Sequence, residues 1–229
     1  MSPGGVPMVA VSGVHRTYGS GSAAVHALRE ASFEVAPGEL VAVVGRSGSG
    51  KTTLLNVVGG LDRPDAGRVL VDGTEVTALD DDGLVRLRRD VVAYVFQTFG
   101  LIPVLSAAEN VGVPLRLRGL PAADRERRVQ LLLELVGLAG HAEQRPAEMS
   151  GGQQQRVAIA RALAGSPRLL IADEPTGQLD SETGLAVMAL IRAVVEAEGM
   201  TALVSTHDPV MIGLADRVLR VADGRLVEG

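Results

Sequence analysis

Residues 45–53 constrain the fold of this chain more than any other stretch. They read G-R-S-G-S-G-K-T-T and lie between the apolar run 40–44 and the helix-like residues 54–58. Glycines let the backbone curl around an anion so that successive N–H groups point inward, and a following helix adds its positive N-terminal end. The sequence therefore predicts a strand, a phosphate-binding loop and a helix, in that order.

The side chains of this loop indicate a nucleoside triphosphate. Lys51 can reach the β- and γ-phosphates, and the Thr52 hydroxyl can bind Mg²⁺. Lys51 is also the only lysine among the 22 basic residues, and a flexible ammonium suits close phosphate contact better than a planar guanidinium. The other loop residues expected to contact the nucleotide are Gly45, Ser47, Gly48, Ser49, Gly50 and Thr53.

Composition narrows the class of protein. A length of 229 residues suits one large domain, or a domain with an inserted subdomain, and the absence of cysteine excludes disulfides and thiol chemistry. Positive and negative side chains are interspersed at a net charge of −5, which argues against nucleic acid as a partner. Residues 1–9 show no targeting pattern, and no apolar run approaches the ~18 residues of a membrane span. We therefore expect a soluble, cytoplasmic chain.

The order of apolar segments predicts an α/β fold. Residues 8–44 alternate short β-rich pieces (8–14, 25–28, 31–35) with turns, which predicts an N-terminal antiparallel β-subdomain leading into a buried parallel strand. Residues 105–164 are helical in pattern, so we predict an inserted α-helical subdomain over about 99–165. The remainder, about 1–98 and 166–229, is expected to form a P-loop NTPase core with a mostly parallel sheet covered by helices.

Two helices are predicted within the inserted segment. Pro121 fits the first position of one helix, which closes at Gly137. Ser150 fits the cap of a second helix, which runs to about Ala164.

Two adjacent carboxylates follow the apolar segment 169–172. Ligands of open α/β sheets gather at the carboxyl ends of the strands. We predict that Asp173 helps to hold Mg²⁺ and that Glu174 orients or deprotonates the attacking water. Alone, the pair also fits an acidic turn before Pro175, but its presence beside a phosphate loop favours the catalytic interpretation.

Residues 149–156 resemble the signature motif of ATP-binding-cassette (ABC) ATPases, with Met149 where leucine is usual. A capped, glycine-rich helix start presents N–H groups and a serine hydroxyl to phosphate. The resemblance implies that this motif closes on the γ-phosphate held by a second copy of the chain, so that a head-to-tail homodimer sandwiches two ATP molecules. The motif residues expected to contact nucleotide are Ser150, Gly151, Gly152 and Gln153.

Four single residues are similar to further elements of the ABC family. Gln97 resembles the Q-loop glutamine, which senses Mg²⁺ and water and couples the nucleotide state to a partner. His207 resembles the switch histidine that contacts the γ-phosphate, and Asp180 resembles the D-loop aspartate that communicates across the dimer. Tyr18 resembles the aromatic residue that stacks on adenine, although it also fits an ordinary surface tyrosine.

Residues 60–67, 87–89, 95–103 and 109–115 resemble the subfamily that serves macrolide-export and lipoprotein-release permeases, with Gly100 where asparagine is common. The resemblance implies an ATP-hydrolysing subunit that couples dimer closure to a separate integral-membrane permease and attaches through it to the inner face of the cell membrane. A short permease helix could dock on the apolar residues after Gln97, or these residues could pack inside the helical subdomain; they are Phe99, Leu101, Ile102 and Leu105.

Two other functions remain open from the sequence. One is an ATP-dependent regulatory switch in a membrane complex that moves no solute. The other is a soluble ABC ATPase without a permease, although such proteins usually carry a long coiled-coil insertion or two cassettes in one chain.

Overall fold

The fold is taken from a computed structural model that describes residues 6–227, apart from the side chains of Ser22 and Met211. The expectation about a targeting pattern in residues 1–9 therefore falls largely outside the described residues. Within residues 6–227, no helix combines the length and the hydropathy needed to cross a membrane. The strands are β1 (Val9–Tyr18), β2 (Val25–Val35), β3 (Leu40–Val44), β4 (Ala66–Val71), β5 (Thr74–Glu75), β6 (Val92–Val95), β7 (Leu169–Asp173), β8 (Thr201–Ser205), β9 (Arg217–Ala222) and β10 (Arg225–Val227).

Within the described part of the chain, seven α-helices connect these strands, together with short 3₁₀ turns. Helices α3, α4 and α5 follow one another between β6 and β7, where residues 96–168 contain no strand. The helices are α1 (Lys51–Val58), α2 (Asp81–Asp90), α3 (Ala107–Leu117), α4 (Ala122–Leu135), α5 (Gly151–Ala164), α6 (Ser181–Glu198) and α7 (Pro209–Ile212).

The strands form two sheets. The six-stranded sheet has the order β10-β9-β3-β8-β7-β6, and all of its pairs are parallel except the β9–β10 hairpin. The four-stranded sheet is antiparallel, in the order β2-β1-β4-β5. These two sheets and the inserted helices confirm the predicted α/β fold class.

The buried parallel strands bring the predicted site residues to one edge. Every residue of β3 and β8 is buried, as expected for parallel strands covered on both faces. In the parallel register, Ser205 lies opposite both Val43 of β3 and Asp173 of β7. The carboxyl ends of β3, β7 and β8 therefore meet, and the loop 45–50 leaves the sheet at this edge.

Some element boundaries differ from the sequence prediction. The N-terminal pieces merge into two long strands, because β-bulges, one of them at the left-handed Gly13, let β1 and β2 stay paired through irregular positions. Pro121 is the cap of α4 and not its first helical residue, since its ψ of 148° is extended. The helix ends where the sequence predicted, because Val136 is the C-cap residue of α4 and Gly137 follows it with φ of +70°.

Asp216 ties the start of β9 to β3 and α6. Its carboxylate accepts a hydrogen bond from the backbone N–H of Leu40 at 2.9 Å and pairs with Arg192 at 2.7 Å. The Leu40 N–H, and then Arg192, lower the pKa of Asp216. A lowered pKa in the folded state gives stability that is present above the unfolded value of about 4 and is lost as the pH falls through the folded-state pKa.

Asp216→Asn is therefore expected to lower the melting temperature by about 2–4 °C at pH 7. The difference from the wild type should shrink as the pH falls from the unfolded value of about 4 through the lowered folded-state pKa, because the Asp216 carboxylate loses its charge over this range. Thermal unfolding across this range measures it. A difference that stays constant with pH would contradict an electrostatic role for this carboxylate.

Candidate active site

Gly45, Gly48 and Gly50 of the loop after β3 occupy positions that favour glycine, either by their backbone angle or by close approach to neighbouring backbone. Gly48 and Gly50 have φ of +76° and +110°, in the left-handed region. A Cβ on Gly50 would lie 2.3 Å from the carbonyl oxygen of Ala27, and one on Gly45 would lie 2.3 Å from that of Val221. The loop therefore approaches neighbouring backbone too closely for any side chain at these two positions.

Lys51 is buried at the start of α1, under this loop. Its Nζ donates to the carbonyl oxygens of Gly45 at 2.9 Å and Arg46 at 3.3 Å, and lies 3.6 Å from Oε1 of Glu174. The loop and the side chains around Lys51 line a cavity of about 390 Å³. Its predicted site residues are Tyr18, Ser47, Gly48, Gly50, Lys51, Thr52, Thr53, Gln97, Asp173 and Glu174.

Asp173 and Thr52 meet at the floor of this cavity. The Thr52 hydroxyl donates to Oδ2 of Asp173 at 2.8 Å. The other carboxylate oxygen, Oδ1, accepts from Oγ of Ser205 at 2.6 Å, and that hydroxyl oxygen in turn accepts from the N–H of Glu174 at 2.8 Å. Ser205 is fully buried, so it fixes both acidic residues.

Glu174 lies at the centre of the polar side chains. Its Oε2 accepts from the amide of Gln97 at 3.4 Å, and its Oε1 lies 4.0 Å from Nδ1 of His207 as well as close to Lys51. Its φ is +44°, which is uncommon for a residue with a Cβ. Such strained backbone concentrates at active sites, where the surrounding contacts hold it.

The described residues fit a triphosphate and Mg²⁺. Ser49 is buried within the loop, and its hydroxyl has no hydrogen-bond partner among the described residues. Such a hydroxyl is able to donate a hydrogen bond to a bound ligand. Thr52 and Asp173 supply the oxygen donors that Mg²⁺ prefers, and the Gln97 side chain borders the same cavity.

Gly45, Ser49 and His207 line a second cavity of about 740 Å³. The residues of the 149–156 motif and Asp180 lie outside the cavity around Lys51. Ser150 caps α5 in a reciprocal capping box with Gln153. Asp180 caps α6 through Thr183, whose backbone and side-chain hydrogen bonds lower the pKa of Asp180. A Cβ on Gly152 would lie 2.6 Å from the Thr183 side chain, so the two caps are neighbours in one chain.

This geometry agrees with a known family. A family model described as ABC transporter matches residues 28–177. The chain belongs to the ABC transporter family. It is an ABC ATPase with the P-loop NTPase fold, which confirms the resemblance, the fold class and the enzyme class expected from the sequence.

Individual ABC relatives are similar over most of the chain. An uncharacterized ABC transporter ATP-binding protein of Thermotoga maritima is 48% identical over 213 residues, which are 93% of this chain and 91% of that protein. The macrolide export ATP-binding/permease protein MacB of Marinobacter nauticus is 45% identical over 97% of this chain. The chain spans only 34% of that MacB protein, so it matches about a third of the longer polypeptide.

One solved ABC structure is similar in fold along nearly the whole chain. It is a dimeric post-hydrolysis state of the ATP-binding cassette MJ0796 bound to ADP and Pi. The TM-score is 0.91 at 41% identity, and the match covers 96% of this chain and 97% of that one.

Two features of this ABC site were missed by the sequence prediction. One is Ser205. Its position at the end of a buried strand is visible in the sequence, but its contact with Asp173 can be inferred only when β8 is known to lie beside β7. Asp62 is the other, since it accepts a hydrogen bond from the Tyr18 hydroxyl at 2.5 Å. It lies in the segment 60–67 that carries the subfamily resemblance.

Proposed function

We propose that this ABC ATPase is the ATP-hydrolysing subunit of a membrane transporter of export or lipoprotein-release type. In this proposal, ATP closes a dimer of the chain, and closure drives a separate permease at the inner face of the membrane. The observation that carries the dimer is the division of the site, because Lys51, Asp173 and Glu174 share one cavity whereas Ser150 lies outside it. The export type is supported by the similarity to the macrolide export ATP-binding/permease protein MacB. A second copy of the chain would supply the missing motif.

The proposed chemistry follows from the contacts of three residues. Lys51 exchanges its contacts with the loop carbonyls and Glu174 for β- and γ-phosphate oxygens. Glu174, released from Lys51, accepts a proton from water while the water oxygen bonds to the γ-phosphorus and the bond to the ADP oxygen breaks. His207 would contact the γ-phosphate beside Glu174, since its Nδ1 lies 4.0 Å from Oε1 of Glu174.

Mg²⁺, held by Thr52 and Asp173, would neutralise phosphate charge. Gln97 would complete its surroundings and report the state of the site, because its amide already contacts Glu174. Gln97 also lies between the end of β6 at Val95 and residues 99–165, which we propose as a helical subdomain. A change at Glu174 can therefore reach the loop that follows Gln97.

The second copy contributes through the start of α5. A capped helix N-terminus carries positive partial charge and free N–H groups, so it attracts phosphate. Ser150 and Gln153 hold this end in its helical form before any ligand arrives. Tyr18, at the cavity rim, would stack on adenine.

The loop after Gln97 is the proposed permease contact. Ile102 and Val104 are 39% and 72% exposed, and Phe96, just before Gln97, is 38% exposed. Leu101 instead packs against the buried core, as one of the two interpretations of this patch requires. Arg161 of α5 donates to the carbonyl oxygens of Phe99 and Gly100, so the loop is held by the same helix that begins at the signature motif.

Val104→Glu tests this contact, with Val6→Glu, at 73% exposure, as the control. The chain is co-expressed with a candidate permease from the same organism, and both co-purification and ATPase activity are measured. We expect Val104→Glu to lose the membrane protein while keeping basal ATPase activity, because a charge would be buried at an apolar contact. Full retention of the membrane protein would contradict the proposed contact. A wild-type chain that retains no membrane protein would instead favour the soluble alternative.

A further inference from the structure

Tyr18 is held by a set of ionic contacts that link two distant parts of the chain. Arg16 donates to both oxygens of Asp62, from Nη2 at 2.7 Å and from Nε at 3.0 Å. Its Nη1 also reaches Oδ1 of Asp65 at 3.0 Å. The Tyr18 hydroxyl donates to the same Asp62 carboxylate at 2.5 Å, so one carboxylate fixes both the guanidinium and the ring.

Backbone contacts make this arrangement rigid. Oδ2 of Asp65 accepts from the N–H of Thr17 at 2.6 Å, and the N–H of Asp65 donates to the carbonyl oxygen of His15 at 2.8 Å. The N–H of Arg63 donates to Asp62 at 2.8 Å. The end of β1 is therefore fastened to the loop that leaves α1, the helix that begins at Lys51.

Arg16 also covers one face of the tyrosine ring. Its Cζ lies 4.7 Å from the ring centroid, which is within the range of a cation–π contact. The Arg16 and Asp62 side chains are only 23% and 19% exposed, so water screens the pair less than it does a surface ion pair. Tyr18 is 39% exposed and borders the cavity around Lys51. One ring face is thus occupied, and the hydroxyl is fixed.

We propose that Arg16 and Asp62 are positioning residues that hold Tyr18 ready to stack on a purine base, and so tune nucleotide affinity without touching the nucleotide. The proposal rests on the proposed adenine contact of Tyr18. A ring held in place before binding loses little conformational freedom on stacking, and this is where the gain in affinity arises. The phosphates gain little from it, because the hydrogen bond that joins Tyr18 to residues 45–53 is a long one, from its hydroxyl to Oγ1 of Thr53 at 3.5 Å.

This difference between base and phosphate supplies the test. Calorimetry of the full chain measures the dissociation constants of Mg-ATP and of inorganic triphosphate, which has no base. Arg16→Met and Asp62→Asn are expected to weaken ATP binding about fivefold, and Tyr18→Ala about tenfold, the scale of losing one base-stacking contact. All three variants should leave inorganic triphosphate binding unchanged. In ATPase assays, KM should rise while kcat stays near the wild-type value.

Two further variants separate positioning from folding. Arg16→Lys keeps a cation over the ring but loses the paired hydrogen bonds, so it should recover part of the ATP affinity. Arg63→Gln is the matched control, since Arg63 lies in the same loop but pairs with Asp81 and not with Tyr18. It should bind both ligands as the wild type does.

The outcomes distinguish this inference from the contact on which it rests. Weaker ATP binding in Tyr18→Ala, with no change in Arg16→Met and Asp62→Asn, would overturn the positioning role and leave the adenine contact standing. Unchanged ATP binding in Tyr18→Ala would overturn both. Equal weakening of ATP and inorganic triphosphate would show that the variants disturb the phosphate loop, and it would also overturn the inference.

Discussion

Glu174→Gln is expected to bind ATP about as well as the wild type but to hydrolyse it about 10²–10⁴-fold more slowly, the usual contribution of a positioned general base. The amide keeps the size of the side chain and can still contact Gln97 and His207, but it cannot take a proton from water. Calorimetry of ATP binding and steady-state phosphate release measure the two properties separately.

Glu198→Gln is the control for Glu174→Gln, because Glu198 is an exposed carboxylate at the end of α6. It should hydrolyse ATP at the wild-type rate. Normal turnover in Glu174→Gln would remove Glu174 from the role of base. Loss of ATP binding in that variant would instead show that the carboxylate is needed to hold Lys51 in place.

Lys51→Ala is expected to weaken ATP binding by about 10²-fold and to reduce hydrolysis further. Hydrogen bonds to charged groups contribute about 1.5–3 kcal/mol each, and Lys51 is the only lysine available to the phosphates. Equilibrium binding of Mg-ATP and phosphate release measure the loss. The melting temperature checks that the loop is intact, since Lys51 also donates to Gly45 and Arg46.

Lys51→Arg provides the matched comparison for this position. It keeps the positive charge but replaces a compact ammonium by a planar fork, which does not match the single-point contacts of Nζ with Gly45 and Arg46. We expect it to hydrolyse ATP little better than Lys51→Ala. ATPase activity in Lys51→Ala equal to that of the wild type would contradict the proposed role of this loop.

The sequence predicts the phosphate loop well because its geometry is local. The glycines, Lys51 and Thr52 lie within one short segment, and the flanking strand and helix follow from their own apolar pattern. Asp173 could be placed for a similar reason, since it ends a buried strand. These predictions need no knowledge of which strands are neighbours.

Features that depend on tertiary contacts could not be predicted in the same way. The role of Ser205 requires the β7–β8 register, and the contact between Arg16 and Asp62 joins residues 46 positions apart. β1 stays continuous through β-bulges, and these interrupt the alternation of apolar and polar residues by which a strand is recognised in a sequence. In the apolar segment after Gln97, Val104 is exposed whereas Leu101 packs against the core. The sequence alone does not show which of these apolar residues is buried, because that depends on how the loop folds.

The proposed two-chain site is tested most directly by measuring the mass of the Glu174→Gln variant in solution with saturating Mg-ATP. We expect ATP to convert a 23.8 kDa monomer into a dimer of twice that mass, as measured by analytical ultracentrifugation. Ser150→Asp in this background should prevent the conversion, because it brings a negative charge to the γ-phosphate. Ser150→Asn, an equally good but neutral helix cap, should dimerise. A chain that stays monomeric with ATP, or that dimerises equally with Asp and Asn at position 150, would contradict a site completed by a second copy.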